Sequence, residues 1–394
     1  MTPKEWKRCK IGDFINIKHG YAFKGDFIST EDNGIVLVPP GNFAISGGFQ
    51  ENKCKYYTGV YPNDYILKPD DIIVTMTDLS KDSDTLGYSA KVPHISKKIY
   101  LHNQRIGLVE FKNNYINKDF LYWFMRTMSY QKTIVSSSSG SVIKHTSPSR
   151  ICDVDIELPP LETQQKIAKV LSAIDDKIEL NNSINSNLEQ QAQAIFKSWF
   201  VDFEPFGGKM PNDWSLKTLS DVSNITAGGD KPDIVSNIET EECKIPIYSN
   251  GVDQNGLYGY TTLPKISQES VTVSARGTIG FTCLRLHSYV PIVRLISLIP
   301  INDIVSAKYL YFALLNKHIT GTGTTQQQLT VPYFKTTEII VPSFDIICNF
   351  TKITDLFYKI IEKNNMENSS LSQLRDTILP KLMSGEIDVD KVEV

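Results

Sequence analysis

The nearest approach to a catalytic pattern in this sequence is Pro69–Asp70 followed by Glu110 and Lys112. Two carboxylates and a lysine can hold Mg²⁺ and activate a water molecule. The pattern is short and degenerate, however, and a later segment that repeats this one has Ile299 and Ile301 in place of Glu110 and Lys112. A turn carboxylate beside a solvated strand edge is the simpler reading. A second kind of chemistry recurs. The stretch SSSSGSVIKHTS (Ser136–Ser147) lines up with TGTGTTQQQLTV (Thr320–Val331), Gly140 falling on Gly323. Ser, Thr and Gly let a backbone approach phosphate, and Gln, Lys and His can read base edges. This singles out Ser139, Ser141, Lys144 and His145 in the first stretch, and Thr324, Thr325, Gln326, Gln327 and Gln328 in the second. The glutamines suit adenine, and Lys144 suits guanine or phosphate. In SARGTIG (Ser274–Gly280), Arg276 suits guanine or phosphate, flanked by Ser274 and Thr278. Lys18, Tyr21 and Lys24, and Lys231 in the equivalent place, follow a tryptophan-led motif and are weaker candidates. The ordinary alternative is a pair of flexible loops; their recurrence in both halves of the chain favours function. Arg105 and Arg294 recur identically in halves that otherwise diverge, which argues for a structural or phosphate role rather than base reading.

Other chemistries are missing from the sequence. There is no G-x-x-x-x-G-K-[ST] phosphate loop and no [DN]-P-P-[FYW] motif of amino-methyltransferases. The six cysteines and six histidines are scattered without zinc-ligand spacing. Unpaired spacing of this kind expects free thiols in a reducing, cytoplasmic setting. MTPKEWKRCK offers no apolar secretory segment, and no apolar run is long enough to expect a membrane span. With 394 residues, 41% hydrophobic and 22% charged, the chain expects two or three well-packed domains. A net charge of −3 does not advertise a nucleic-acid binder, so a partner would have to help hold a duplex.

The elements that position these loops form an internal duplication. Trp6 aligns with Trp214, Ile11 with Leu219, Asp13 with Asp221, Asn16 with Asn224, Ile17 with Ile225 and Gly20 with Gly228. Further along, Phe120–Leu121–Tyr122 meets Tyr309–Leu310–Tyr311, and Arg105 falls on Arg294. Then Pro159 lands on Pro342, Lys169 on Lys352, Glu179 on Glu362 and Asn181–Asn182 on Asn364–Asn365. The second copy is shorter in its β-rich part, whereas the helical parts align without a gap. Short runs such as GIVLVPP, DIIVTMT, ESVTVSA and VRLISLIP alternate with turn residues, and each copy has one short helix, at 117–128 and 306–317. An α+β fold with mixed sheets is expected for each module.

Two long helices carry a 4-3-4-3 apolar seam. The first runs through Ile167, Leu171, Ile174, Ile178, Asn181, Asn185, Leu188, Ala192, Ile195 and Trp199. The second runs through Phe350, Thr354, Phe357, Ile361, Asn364, Asn368, Leu371, Arg375, Ile378 and Leu382. Both seams break into asparagine at the middle. A buried asparagine lowers stability but fixes register and partner. Antiparallel packing brings the two mid-points together, so Asn181 and Asn185 are expected to face Asn364 and Asn368. About 40 residues make a rod of about 60 Å, suited to holding two modules on separated segments of a duplex.

This arrangement resembles the specificity (HsdS) subunit of Type I restriction-modification systems. The residues that carry the resemblance are LPPLETQQKIAKVLSAIDDKIELNN with AIFKSWFVDFEP, the weaker second copy ending LRDTILPKLMSGEIDV, the repeated tryptophan-led motif and SARGTIG. It implies two target-recognition domains (residues 1–157 and 202–341), each reading half of a bipartite double-stranded DNA target. It also implies spacer helices at 158–201 and 342–386 forming an antiparallel coiled coil, and a tail at 387–394. The implied partners are two methylation subunits, which hold S-adenosylmethionine, and restriction subunits, which use ATP and Mg²⁺. No membrane, no metal and no cofactor of its own are expected, and the chain alone is expected to be non-catalytic. The first module departs from the pattern in having TMTDLSKDSDTLGYSA where the second has SARGTIG, so the two should read different bases. A scaffold without a DNA role, and the nuclease reading of Asp70, Glu110 and Lys112, stand as alternatives.

Overall fold

The computed structural model describes residues 6–51, 54–78, 80, 83–95, 97–141, 143–321 and 327–392. The chain divides into two compact units, residues 1–181 with 366–394, and residues 182–365. Each unit therefore holds one module and half of each long helix.

In the first unit, strand Lys7–Lys10 pairs antiparallel with Asp155–Leu158, so the module's first and last strands close on each other. Four strands form an antiparallel sheet in the order Ile15–His19, Ile106–Phe111, Ile72–Thr75, Ser89–Lys91. A second sheet is mixed, because Ile35–Val38 runs parallel to Ile99–His102 and antiparallel to Lys55–Tyr57. The second unit repeats the plan. Ser215–Thr218 pairs with Glu338–Val341. Its four-stranded sheet has the order Ser223–Ala227, Ile296–Pro300, Ser270–Val273, Thr282–Arg285. Its mixed sheet joins Ile245–Tyr248 in parallel to Val290–Pro291 and antiparallel to Leu257–Thr261. Helices Lys118–Phe124 and Ala307–Leu315 are capped at equivalent positions, Asn117 accepting from the Phe120 amide and Ser306 from the Tyr309 amide. Each module has more helix than the sequence pattern suggests. Met128–Ser137 and Pro148–Cys152 in the first, and Leu219–Val222 and Val331–Lys335 in the second, are too short or too polar to show a 3.6-residue period.

The long helices run Leu161–Phe200 and Phe344–Met383. Proline at 159 and 160 precedes the first, where its missing N–H costs nothing. Gln164, 1% exposed, fixes that start: its amide donates to the Pro159 carbonyl at 2.9 Å and its Oε1 accepts from the Asn117 amide at 2.7 Å. Gly385, at φ 70°, follows the end of the second helix in the left-handed conformation typical of a helix stop.

Both units show the helices paired antiparallel. In the first, Asp175 meets Arg375 and Asn181 meets Asn368. Residue numbers rise along one helix as they fall along the other. In the second, Asn185 meets Asn364 and Asn365, and Phe196 packs on Phe350 with ring centroids 5.7 Å apart. Ile167, Leu171, Ile174, Ile378 and Leu382 join the first module's core with Phe120, Trp123 and Tyr130. Ala192, Phe196, Phe200, Phe350 and Ile361 join the second with Trp214, Tyr309 and Phe312. Three seam positions are displaced from the heptad reading. Ile195, Trp199 and Phe357 are half-buried, and the neighbours Phe196 (3%), Phe200 (3%) and Tyr358 (7%) take the interior places. Phe196 packs on Tyr309, Phe312 and Phe350, and Tyr358 joins the same core, so burial there follows the module as well as the helix seam. Ile178, Leu188, Asn368 and Leu371 are half-buried as well.

Polar contacts bind each module to its helices. Asp175 accepts from Arg126 at 2.7 Å and from Arg375 at 2.7 Å, and Arg126 lies over the Trp123 ring at 4.5 Å. In the second unit Lys308 donates to both Glu269 (2.8 Å) and Asp355 (2.9 Å).

Candidate nucleic-acid interface

In both modules the loop after the first sheet strand is held against the turn that carries the recurring arginine. In the first, the Gly20 amide donates to the Ile106 carbonyl, the Tyr21 amide to His102 and the Gln104 amide to Tyr21. In the second, the Gly228 amide donates to Leu295, the Val293 amide to Gly229 and the Arg294 amide to Gly228. A Cβ at Gly20 would sit 2.0 Å from the Asn103 carbonyl oxygen, and one at Gly228 would sit 2.7 Å from the Pro291 carbonyl carbon. Only glycine permits these approaches.

The second module forms a cleft of about 430 Å³ lined by Gly228, Gly229, Asp230, Lys231, Tyr258, Arg276, Ile292, Val293 and Arg294. Three cations face one carboxylate there, as suits a polyanion. Two of the residues singled out from sequence, Lys231 and Arg276, thus meet in one place. Arg276 also donates to Gln328 Oε1 at 3.3 Å, and the Leu329 amide donates to the Ala275 carbonyl at 3.0 Å, so the glutamine segment lies beside the arginine turn. Gln327 and Thr278 are exposed. Ser274 is 1% exposed and its hydroxyl donates to the Asn250 carbonyl, so it braces the turn rather than facing a ligand. Thr324, Thr325 and Gln326 lie outside the described residues.

Asn250 was not singled out from the sequence, yet it joins the two arginine turns. Its Oδ1 accepts from the Ala275 amide at 2.8 Å and its Nδ2 donates to the Val293 carbonyl at 2.7 Å. The only sequence signal was its place in Asn250–Gly251, a turn dipeptide.

In the first module, Lys18 belongs to strand Ile15–His19 and not to the loop after it. Its Nζ donates to the Asp64 carbonyl at 3.0 Å and lies 5.1 Å from the centre of the Tyr65 ring. Tyr21 packs on the same ring at 5.2 Å and on Phe23 at 5.1 Å. Lys24 is apart from this cluster, exposed at the start of the short turn Gly25–Phe27. The serine-rich stretch is not one open loop. Ser136 and Ser137 finish helix Met128–Ser137, and Ser139 and His145 exchange backbone hydrogen bonds at 2.9 and 2.8 Å. Lys144 and His145 pair with Asp78 and Thr77, and His145 Nδ1 is 3.1 Å from Thr77 Oγ1. Ser141 is exposed near the tip of this hairpin. Asp78, 2% exposed, lies in the strand paired with this hairpin. Burial opposes its charge, but hydrogen bonds from Ser80 and Thr85 prevail and hold its carboxyl below the ordinary range.

Two residues of the nuclease pattern have structural roles. Lys112 Nζ is held on the Gly12 carbonyl at 2.6 Å, and Asp70 sits at φ 63° in the turn before Ile72–Thr75. Among the described residues no three His, Cys, Asp or Glu side chains gather as a metal site, all six cysteines are free, and no helix is long and apolar enough to cross a membrane.

Two copies of one α+β module, each sharing a core with antiparallel long helices, define a duplicated recognition chain. The Type I restriction modification DNA specificity domain family matches residues 3–190 and 211–375, and the chain belongs to that family. It is 29% identical over 378 residues to the Type I restriction enzyme HindI specificity subunit of Haemophilus influenzae, covering 73% of this chain and 81% of the relative. It is 26% identical over 340 residues to the MjaIX specificity subunit of Methanocaldococcus jannaschii, covering 78% of this chain and 76% of the relative. The crystal structure of a Type I S subunit from M. genitalium has the same fold, with a TM-score of 0.56 at 18% identity over 97% of this chain and 99% of that one.

Proposed function

We propose that this chain is the DNA-reading subunit of a Type I restriction-modification complex and performs no catalysis of its own. Each module reads one half of a bipartite duplex target, and the helix pair sets the gap and docks two methylation subunits. The observation that carries the reading is the duplication itself. One module occurs twice with the same glycine-against-arginine packing, while the polar segments around it differ: Arg276 with Gln328 in the second, the Thr77–His145 hairpin in the first. Common geometry with divergent loops is what reading two unrelated sequences requires.

Within this reading, Lys231, Arg276, Thr278 and the glutamines 326–328 contact the second half-site, and Lys18, Tyr21, Ser141, Lys144 and His145 the first. S-adenosylmethionine, and ATP with Mg²⁺, belong to the methylation and restriction partners, and the chain works in the cytoplasm with them. Its net charge of −3 leaves much of the phosphate neutralisation to those partners. Replacing residues 1–157 by the corresponding module of another specificity subunit should change only one half of the methylated sequence. Sequencing of modified adenines in cells carrying the system tests this, and a change in both halves overturns the modular reading. A gel shift with and without methylation subunits separates it from a scaffold without a DNA role.

A further inference from the structure

We propose that Arg105 and Arg294 are two copies of one phosphate-gripping turn, a contact to the DNA backbone that each module makes whatever bases its loops read. The inference rests on the DNA-reading function above and adds to it a sequence-independent element.

The two turns close in the same way, although Val293 and Arg294 have positive φ and Gln104 and Arg105 do not. The Ile106 amide donates to the Asn103 carbonyl at 2.9 Å, and the Leu295 amide donates to the Ile292 carbonyl at 3.0 Å. Tyr21 forms an isolated parallel bridge with Asn103, and Gly229 forms the same bridge with Ile292. The flanking residues are unrelated, Asn103–Gln104 in one turn and Ile292–Val293 in the other. What recurs is the arginine and the glycine that lets the chain approach it.

Both arginines are exposed, and neither side chain makes a hydrogen bond or ion pair among the described residues. Arg294 is nonetheless placed with effort. It sits at φ 63° and Val293 at φ 52°, a region that a β-branched residue rarely adopts. Strain of this kind persists only where the surroundings hold it, and it gathers at ligand clamps. The bond from Asn250 to the Val293 carbonyl and those from the Val293 and Arg294 amides hold it here.

Modules that read different bases share the sugar–phosphate backbone of their ligands, and its charge lies on phosphate. A guanidinium fork matches phosphate geometry and stays charged. Arg276 differs in kind: it exists in one module only and is paired with Gln328, as befits a contact that discriminates.

The test uses the full chain in complex with Type I methylation subunits. Arg105→Gln and Arg294→Gln remove charge, Arg105→Lys and Arg294→Lys keep it, and Arg276→Gln is the comparison. Binding is titrated against salt on a duplex carrying the target and on one with both half-sites scrambled. Each glutamine variant at 105 or 294 should make the slope of log K against log salt shallower by about 0.9 and weaken both duplexes about fivefold at 0.15 M salt. Both lysine variants should restore the slope, and the methylated sequence should not change. Arg276→Gln should instead weaken the target more than the scrambled duplex. An unchanged slope at 105 and 294, or a loss confined to the target duplex, overturns the inference while leaving the DNA-reading function standing. Failure of the unaltered complex to bind DNA overturns both.

Discussion

Asn364 donates from Nδ2 to Asn185 Oδ1 at 2.8 Å in the middle of the helix pair, and Asn185 in turn donates to Asn365 Oδ1 at 2.9 Å. Asn185 and Asn364 are 9% and 8% exposed, so water supplies little of what the partner would otherwise provide. Replacing Asn185 by leucine strands the amide of Asn364 and should destabilise the chain by about 1–3 kcal/mol. Replacing both by leucine removes the stranded group and should recover most of that loss, while weakening the preference for this register. Urea denaturation of the two single variants and the double variant gives the coupling; additive losses would show that the pair does not interact.

Asp175 accepts from two guanidiniums, each at 2.7 Å, and the Arg126 side chain is only 5% exposed. Asp175→Ala leaves a buried cation with its counter-charge gone, which should destabilise the protein by about 3–5 kcal/mol. The exposed pair Arg8–Asp155, at 2.6 Å, has the shorter distance, yet its side chains are 71% and 46% exposed. Its loss through Asp155→Ala should be far smaller, because water screens an exposed pair. Chemical denaturation ranks the two, and an equal effect would mean that burial is not what gives the Asp175 cluster its strength.

These polar clusters show where the sequence is legible and where it is not. The helices and their partner were readable because the constraint is local and periodic: seam spacing, prolines before each start, and asparagines at matching positions. The duplication was readable for the same reason, as repeated order along the chain. Arg126 with Asp175, and Asn250 with Val293, join residues far apart in sequence, and nothing in either neighbourhood announces the partner. The exchange of Ile195 for Phe196, and of Phe357 for Tyr358, comes from packing against the module core, which a strict heptad count leaves out. Lys231 and Arg276 were named for their chemistry, but that they share a cleft with Arg294 depends on strand pairing that the sequence does not display.

His102 braces the Arg105 turn and should make it acid-sensitive. Its Nε2–H donates to the Ile106 carbonyl at 2.9 Å, and its Nδ1 is buried without a partner among the described residues. Burial, with smaller effects from Lys18 and His19, lowers its pKa from 6.5 to about 4, against the opposing pull of the Ile106 bond. Between these values the unfolded chain binds a proton that the native chain does not. Stability is therefore full above pH 6.5 and falls as pH drops toward 4, by up to about 3 kcal/mol. His102→Gln keeps an amide donor and should flatten this part of the profile. Urea midpoints at several pH values between 7 and 4 decide it; identical slopes for variant and parent would remove His102 as the cause.

Asn250 fixes the two arginine turns of the second module without pointing to a ligand itself. Asn250→Ala loses hydrogen bonds of 2.8 and 2.7 Å and frees the strained Val293 to relax. Target binding should weaken about tenfold, the equivalent of one to two net hydrogen bonds. The effect should fall on the half-site read by residues 202–341, so adenine-methylation kinetics on substrates mutated in one half-site at a time will locate it. Equal loss at both half-sites would point to general unfolding instead.

If the helix pair sets the gap between half-sites, its length should be readable in the target. Removing residues 182–188 together with 361–367 takes out one heptad from each helix and leaves Asn181 opposite Asn368, the partner it has now. The rod shortens by about 10 Å, close to three base pairs at about 3.4 Å each. The modules would then meet a duplex turned by roughly 100° over those base pairs, at about 10.5 per turn. The preferred gap should therefore shrink by about three base pairs while affinity falls, because part of the twist has to be absorbed by the DNA. Deleting the heptad from one helix alone should cause a larger loss, since it slips every seam contact beyond the deletion. Adenine-methylation sequencing across a library of gap lengths measures the preference, and an unchanged gap in the paired deletion would show that something other than the helices sets the distance.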